Sequence, residues 1–233
     1  MLNILAQNEE AFLCQLALID ISVPPIEQGR TTEHCEKWSI CRLLATLIKY
    51  HSFEFPIKLT KGERPDFCLH SAQKRIGIEF TEAIQPDYAR ARVLPEAKSD
   101  ESIIDPSLFK WGTQKKSLAE LRSIASRTKL TGPGWNGNEM EDAWSFAMSD
   151  TSSRKTSKLN SEDFAKLDKN WLLIYDNLDS GDIDLSCSYL SKELEGYWSK
   201  NSFDKIFVET GNFIIELQSG QFTKLKLNDV WKR

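Results

Sequence analysis

Two short extended runs joined by a turn constrain the fold of this chain more than any other feature. They cover residues 65–70 and 75–84, with the turn at 71–74. Alternation along a β-strand places the apolar residues of the second run on one face: Ile76, Ile78 and Phe80. The opposite face carries Glu79 among small residues, where a strand has no structural need of a carboxylate. The pattern predicts a hairpin with an acidic side chain in the middle of one strand.

Elements on either side of the hairpin predict a mixed α/β fold around one sheet. A helix over 32–50 is indicated by apolar residues that recur at one-turn spacing: Ile40, Leu43, Leu44, Leu47 and Ile48. An N-terminal helix is predicted over 3–20. The extended runs outside the hairpin are 53–60, the continuous apolar run Trp171–Tyr175, 205–209, 213–217 and 222–227. A helix near 185–198 separates the second of these runs from the third.

The length of 233 residues suits a single domain that contains an insertion. We expect an N-terminal helix and proline-rich link at 1–30, followed by a helix and three strands that carry the candidate site at 31–86. A mainly helical insertion is predicted over 87–170, and the remaining core strands and helix over 171–233.

The composition excludes several classes of protein. Apolar residues make up 40% of the chain and charged residues 27%, which is too apolar for a disordered chain. The sequence contains no run of 18 apolar residues, so no membrane-spanning helix is predicted. The five cysteines are odd in number and never spaced as CxxC. This argues against a disulfide framework or structural zinc site and favours the reducing cytoplasm.

Two carboxylates of the predicted hairpin can reach one point. Asp66 begins the first strand and Glu79 lies in the middle of the second. Neighbouring strands are about 4.8 Å apart, so both side chains can bind one divalent cation. Mg²⁺ is typically bound through one or two carboxylates together with water. A plainer interpretation is also open, in which Asp66 belongs to a turn. Glu79 would then pair with Arg64 or Arg75 across the sheet.

The pair Pro65–Asp66, twelve intervening residues and then Glu79 on an apolar strand resemble the motif of the PD-(D/E)xK nuclease superfamily. The resemblance covers residues 32–84 and, more loosely, the next buried strand. It implies a restriction-endonuclease-like fold, in which helices flank a mixed central sheet, here with a helical insertion. The order of elements implied is a helix, a three-stranded meander, a helix and a further strand. The resemblance also implies metal-dependent hydrolysis of phosphodiester bonds in nucleic acid. Asp66, Glu79 and the backbone carbonyl of Phe80 would bind Mg²⁺ or Mn²⁺.

The resemblance adds two further catalytic positions. The lysine of the superfamily, two residues after the glutamate, corresponds to Thr81 here. A lysine from elsewhere can take over its role, and the candidates are Lys58, Lys74, Lys115 and Lys116. Many relatives also use an acid from the first core helix, which here is Glu36. The alternative for Glu36 is a purely structural role near the positive end of the helix dipole. Glu82 is a further possible acid, but alternation directs it to the face opposite Glu79, and only a bulge would bring it to the site.

A basic segment lies between residues 110 and 129, where six basic residues stand against one acid. The predicted nucleic-acid contacts in it are Lys115, Lys116, Arg122 and Arg127. The net charge of the chain is −4, which would hide a local phosphate-binding face. A solvated helix face is the alternative. DNA is the expected partner rather than RNA, and the sequence is compatible with a homodimer or a protein partner.

A second function fits part of the pattern. Thr81 and the net acidity also suit a catalytically silent interaction or inhibitor-type protein that keeps a nuclease-like scaffold, whereas the basic segment favours the nuclease. Aromatic side chains bury large areas, so most tryptophans are predicted to pack in the interior. Trp135, in the glycine-rich loop 132–137, can also contact nucleic acid.

Overall fold

The computed structural model describes residues 2–25, 28–72, 74–99, 101–199 and 201–231. These residues contain eight strands: β1 (Asn3–Ala6), β2 (Ile57–Lys61), β3 (Phe67–His70), β4 (Arg75–Ala83), β5 (Lys169–Asp176), β6 (Lys205–Thr210), β7 (Phe213–Gln218) and β8 (Gln221–Lys226). They also contain six α-helices: α1 (Glu9–Ala17), α2 (Thr32–Tyr50), α3 (Pro86–Arg92), α4 (Leu118–Ala125), α5 (Glu139–Leu159) and α6 (Ile183–Glu193). The predicted mixed α/β class is confirmed. Within the described part of the chain, no helix is both long and apolar enough to cross a membrane.

All eight strands belong to one sheet, in which they follow the order of the chain. Strands β1 to β4 pair antiparallel in succession, β5 and β6 pair parallel, and β6 to β8 are antiparallel again. The predicted hairpin is confirmed, because Phe67 pairs with Ile78 and His70 with Arg75. At its turn, the backbone N–H of Ser71 donates to the carbonyl of Lys74 at 2.9 Å. Residue 73 of the predicted turn lies outside the described residues.

The chain divides into two compact units. The first unit comprises Met1–Glu82, Thr151–Asp176 and Leu194–Arg233 and carries the sheet, α1, α2 and the second half of α5. The second unit comprises Ala83–Asp150 and Asn177–Glu193. It carries α3, α4 and α6 together with two short 3-10 helices, Pro95–Lys98 and Pro106–Leu108.

The core of the first unit explains why Glu79 is set apart. Every residue of the predicted α2 stripe is buried, and the stripe belongs to the same hydrophobic core as Ile76, Ile78 and Phe80 of β4. The apolar face of β4 is therefore used by the core, as alternation predicts. Glu79 lies on the other face of the strand, away from this apolar cluster.

The predicted helix over 3–20 is wrong in its first part. Residues 3–6 form β1, which pairs with β2, and Ile4 and Ala6 are buried while Leu5 is 56% exposed. This two-residue alternation is the strand period. A helix was predicted because Leu5 also fits a helical stripe with Phe12 and Leu16. The helix α1 begins only after Asn8, whose side chain accepts a hydrogen bond from the backbone N–H of Ala11 at 2.9 Å.

Candidate functional site

The predicted pair of carboxylates is brought together by the hairpin. Phe67 pairs with Ile78, so extending the register by one residue places Asp66 opposite Glu79. The side chain of Asp66 accepts a hydrogen bond from the backbone N–H of Phe80, with 2.7 Å between Oδ2 and N. We call Asp66 and Glu79 the acidic pair.

A lysine outside the predicted site residues completes this cluster. Lys155, in the second half of α5, places its Nζ 2.7 Å from Oε1 of Glu79 and 2.7 Å from the carbonyl oxygen of Phe80. The side chains of Lys155 and Glu79 are only 15% and 8% exposed, so this is a largely buried ion pair. One ammonium group therefore contacts two of the three predicted metal ligands.

The lysines predicted for this role lie elsewhere. Lys58 and Lys74 are exposed, and Lys115 and Lys116 belong to the second unit, where they precede α4 and do not lie on it. A signal for Lys155 was present in the sequence. Helical spacing puts it on one stripe with residues that the structure buries: Thr151, Ser152 and Leu159. A lysine within such a stripe indicates a specific partner, because an unpaired ammonium is costly to bury.

The acidic pair lines a cleft of about 570 Å³ in the first unit. The other lining residues come from the segment before β3 and from the end of α5 with the turn after it: Glu63, Arg64, Lys155, Ser157, Lys158, Ser161, Asp163 and Phe164. Three cations, Arg64, Lys155 and Lys158, thus line the cleft together with four carboxylates, the acidic pair, Glu63 and Asp163. The carboxylates outnumber the cations, so the cleft would need a bound cation before it could accept an anionic substrate.

The electrostatics of the cleft focus on Asp66. Burial and, next in size, the negative charge of Glu79 raise the pKa of Asp66 from 3.8 to about 6. The hydrogen bond from Phe80 and the positive charge of Lys155 oppose this shift without cancelling it. The positive charge of Lys155 therefore does not fully offset the burial of Asp66 and its repulsion by Glu79.

We expect Asp66→Asn to stabilise the metal-free protein at neutral pH. A carboxyl whose pKa is raised by folding supports the fold while it is protonated, and that support is lost as the pH rises through its folded-state pKa. For Asp66 the loss falls between about pH 4 and pH 6. The variant should gain about 1–3 kcal/mol over the parent at pH 7.5 and little at pH 4. Thermal unfolding in chelator across this range measures it; a gain independent of pH would contradict the assignment.

The donor set fits a hard divalent cation. Oε2 of Glu79 is buried and has no hydrogen-bond partner among the described residues. Two carboxylates and the Phe80 carbonyl are all oxygen donors, which Mg²⁺ and Mn²⁺ accept alongside water. Within the described ranges, no group of three or more His, Cys, Asp or Glu side chains is arranged to hold a metal. The acidic pair would thus need the carbonyl, water or substrate to complete the coordination.

The other predicted catalytic positions lie near the cluster with different partners. Glu36 on α2 accepts a hydrogen bond from Lys61, with 2.8 Å between Oε2 and Nζ, and its charge contributes to the raised pKa of Asp66. Thr81 is partly exposed on β4. Glu82 forms an ion pair with Arg30 at 3.3 Å.

The plainer interpretation proposed arginine partners for Glu79. The structure places Arg64 against Asp163, and Arg75 against Asp168 at 3.3 Å. Neither arginine has Glu79 as its ion-pair partner, and the cation beside Glu79 is Lys155.

Close packing next to Glu79 holds the acidic pair in place. A Cβ atom added to Gly77 would lie 2.8 Å from Cγ of Pro65 and 3.3 Å from Oδ1 of Asn170. Pro65 is buried and directly precedes Asp66. The absence of a side chain at Gly77 therefore lets the chain before Asp66 lie on the strand that carries Glu79.

We expect Gly77→Ala to disturb the site as well as the fold. Overpacking against Pro65 should cost about 1–3 kcal/mol of unfolding free energy and should weaken any stabilisation by Mn²⁺. Urea denaturation with and without Mn²⁺ measures both effects. Gly196→Ala is the control, since no atom of the described residues lies within 4 Å of its added Cβ; equal effects of the two substitutions would contradict the packing argument.

The predicted nucleic-acid contacts lie in the second unit. Lys115 is exposed, whereas Lys116 is partly buried with its Nζ 5.9 Å from the ring centre of Phe109. Arg122 is 3.5 Å from Glu96, and Arg127 donates to the hydroxyl of Thr131. Three of these four side chains, those of Lys116, Arg122 and Arg127, thus contact other groups of the same chain.

Comparison with protein-family models, curated proteins and solved structures gave no match.

Proposed function

We propose that this chain is a divalent-metal-dependent nuclease of the restriction-endonuclease-like fold, with Lys155 in the role of the motif lysine. The observation that carries the proposal is the contact of Lys155 with both Glu79 and the Phe80 carbonyl, beside Asp66. Thr81 lacks an amino group, and the buried ammonium of Lys155 supplies one at the same strand.

The order of elements supports the restriction-endonuclease-like fold. Helix α2 is followed by the antiparallel strands β2, β3 and β4 and, after the intervening helices α3 and α4, by helix α5 and strand β5. This is the helix, three-strand meander, helix and strand that the motif resemblance implies. The acidic pair and Lys155 fall on the central hairpin and the following helix.

Each residue of the cluster has a role in this proposal. Asp66, Glu79 and the Phe80 carbonyl would hold Mg²⁺ or Mn²⁺. A bound divalent cation supplies Lewis-acid stabilisation of the charge that grows on the scissile phosphate. Lys155 donates hydrogen bonds and can orient a water molecule or neutralise a phosphate oxygen. Arg64 and Lys158, which also line the cleft, can contact the substrate backbone.

The second candidate function is a catalytically silent protein on the same scaffold. The observation that favours it is again Lys155, because its ammonium contacts oxygens that a metal ion would need. In that case the ion pair would replace the cation and serve stability alone.

Incubation with labelled nucleic acids tests the two functions against each other. Linear duplex DNA, single-stranded DNA and RNA are incubated with Mn²⁺, with Mg²⁺ and with chelator. The nuclease proposal expects metal-dependent cleavage of at least one substrate, with DNA preferred. Absence of both cleavage and Mn²⁺-dependent thermal stabilisation would favour the silent protein, because a ligand bound by the native state must raise its melting temperature.

We expect Lys115 and Lys116 to contribute to phosphate contacts independently of cleavage. Binding of duplex DNA in chelator should weaken steeply with salt, and replacing both lysines by Gln should flatten the slope of log K against log salt by about two units. Replacing Lys224 and Lys226 on β8 is the control. An unchanged slope in the Lys115 and Lys116 double variant would support the alternative that the basic segment is a solvated helix face.

A further inference from the structure

The second unit contains an aromatic pocket that the proposed active site does not use. Its volume is about 110 Å³, and its aromatic walls are Tyr88, Phe109, Trp111, Trp135 and Trp144. Drug-sized ligands need about 300 Å³ or more. The pocket therefore suits a small planar ring system.

The pocket is held in shape by contacts within the second unit. Nε1 of Trp111 donates to Asp150 at 2.9 Å, and the rings of Tyr88 and Phe109 meet edge to face at 5.5 Å between centres. Trp144 is 1% exposed and Phe109 is 5% exposed, and the other three aromatic walls are less buried. Rigid aromatic walls lose little entropy when a ligand binds.

The loop that carries Trp135 is tied to the same unit. Oδ2 of Asp105 accepts hydrogen bonds from the backbone N–H groups of Thr131 at 2.9 Å and Gly132 at 2.6 Å. The hydroxyl of Ser107 accepts one from the N–H of Gly134 at 3.2 Å. The glycine-rich loop is thus anchored beside Pro106, another residue of the pocket lining.

The polar groups of the pocket match the edge of a nucleobase. Two amides and one carboxylate line it: Gln85, Asn177 and Asp179. Oε1 of Gln85 accepts a hydrogen bond from the N–H of Tyr88 at 2.7 Å, which directs its amide nitrogen to serve as a donor. Donors and acceptors together suit the edge of a base, whereas a quaternary ammonium, which could pair with the charge of Asp179, cannot hydrogen-bond to either amide.

A cation stands at the wall of the pocket. Nζ of Lys110 lies 5.3 Å from the ring centre of Trp135 and 3.2 Å from Glu139. A base that stacks in the pocket carries a sugar and a phosphate at its edge. Lys110 is a charged group at this wall that can receive that phosphate.

We propose that the aromatic pocket binds a single unstacked nucleobase of the nucleic acid substrate, with the phosphate received by Lys110. The proposal deepens the nuclease assignment and rests on it for the biological substrate. The substrate class would be single-stranded nucleic acid or a duplex with an extruded base, since a stacked base cannot enter such a pocket.

Binding of mononucleotides to the full chain in chelator tests the pocket apart from cleavage. Tryptophan fluorescence and calorimetry follow titrations with deoxynucleoside monophosphates, with 2-deoxyribose 5-phosphate as the probe that lacks a base, and with choline. The nucleotides should bind at least about tenfold more tightly than the sugar phosphate. Equal binding of the two, no binding of either, or a preference for choline would overturn the proposal.

Variants locate the binding. Trp135→Ala should weaken nucleotide binding at least about tenfold, and Trp135→Phe should restore much of it because stacking survives. Phe146→Ala is the control, since Phe146 is 49% exposed in the same unit and does not line the pocket. Equal losses in the control and in Trp135→Ala would place the ligand elsewhere.

The two proposals can fail separately. Glu79→Gln should leave nucleotide binding unchanged, because Glu79 belongs to the first unit. Metal-dependent cleavage without nucleotide binding in the pocket would refute only this inference. Nucleotide binding by a chain that shows no cleavage would refute only the nuclease.

Discussion

Glu79→Gln is expected to abolish both metal-dependent stabilisation and cleavage while leaving the metal-free fold intact. The substitution removes the charge of a predicted metal ligand, whose Oε2 is buried and has no hydrogen-bond partner among the described residues. The acidic pair should therefore lose its affinity for Mn²⁺. Cleavage should fall at least about 100-fold, as when one electrostatic group of an active site is removed. The metal-free melting temperature should be no lower than that of the parent, because Asp66 remains to neutralise Lys155.

Thermal unfolding with Mn²⁺ and with chelator, alongside the cleavage assay, measures this result. Asp168→Asn is the matched control, because it removes an exposed carboxylate of the first unit that pairs with Arg75. The control should respond to Mn²⁺ as the parent does. A destabilised Glu79→Gln protein that still responds to Mn²⁺ would show that Glu79 is a structural partner and not a ligand.

Lys155→Gln is expected to separate metal binding from catalysis. Without metal, the variant leaves two neighbouring carboxylates without their cation, and breaking a largely buried pair costs about 3–5 kcal/mol. Mn²⁺ should restore much of that loss. It should also bind more tightly than to the parent, because the ammonium no longer contacts Glu79 and the Phe80 carbonyl.

Cleavage by the Lys155→Gln protein should nevertheless fall at least about 100-fold, since the donor that orients water or neutralises phosphate is gone. Lys169→Gln is the control, because Lys169 is 52% exposed and pairs with Asp204 on the surface. Full cleavage activity in the Lys155→Gln protein would remove Lys155 from the mechanism. A protein that Mn²⁺ does not stabilise would identify the ion pair as a substitute for a metal.

The acidic pair could be predicted because its geometry is local. Residues 65–84 form a hairpin whose register follows from alternation and a short turn, and that register alone sets Asp66 opposite Glu79. The strands β5 to β8 were predictable for the same reason, since each is a short run of strongly apolar or alternating residues. The N-terminal strand was not, because Leu5 also falls on a helical stripe with Phe12 and Leu16.

The position of Lys155 beside Glu79 and the assembly of the aromatic pocket depend on tertiary structure. Lys155 follows Glu79 by 76 residues, and its contact depends on the rotation of α5 about its own axis, which strand alternation does not specify. The walls of the pocket come from five separate segments between Gln85 and Asp179, and no sequence period relates them. The sequence determined which side chains share a strand face. Only packing of α5 on the sheet supplied the cation for the acidic pair, because long-range contacts are chosen by the fit of whole surfaces and not by neighbouring residues.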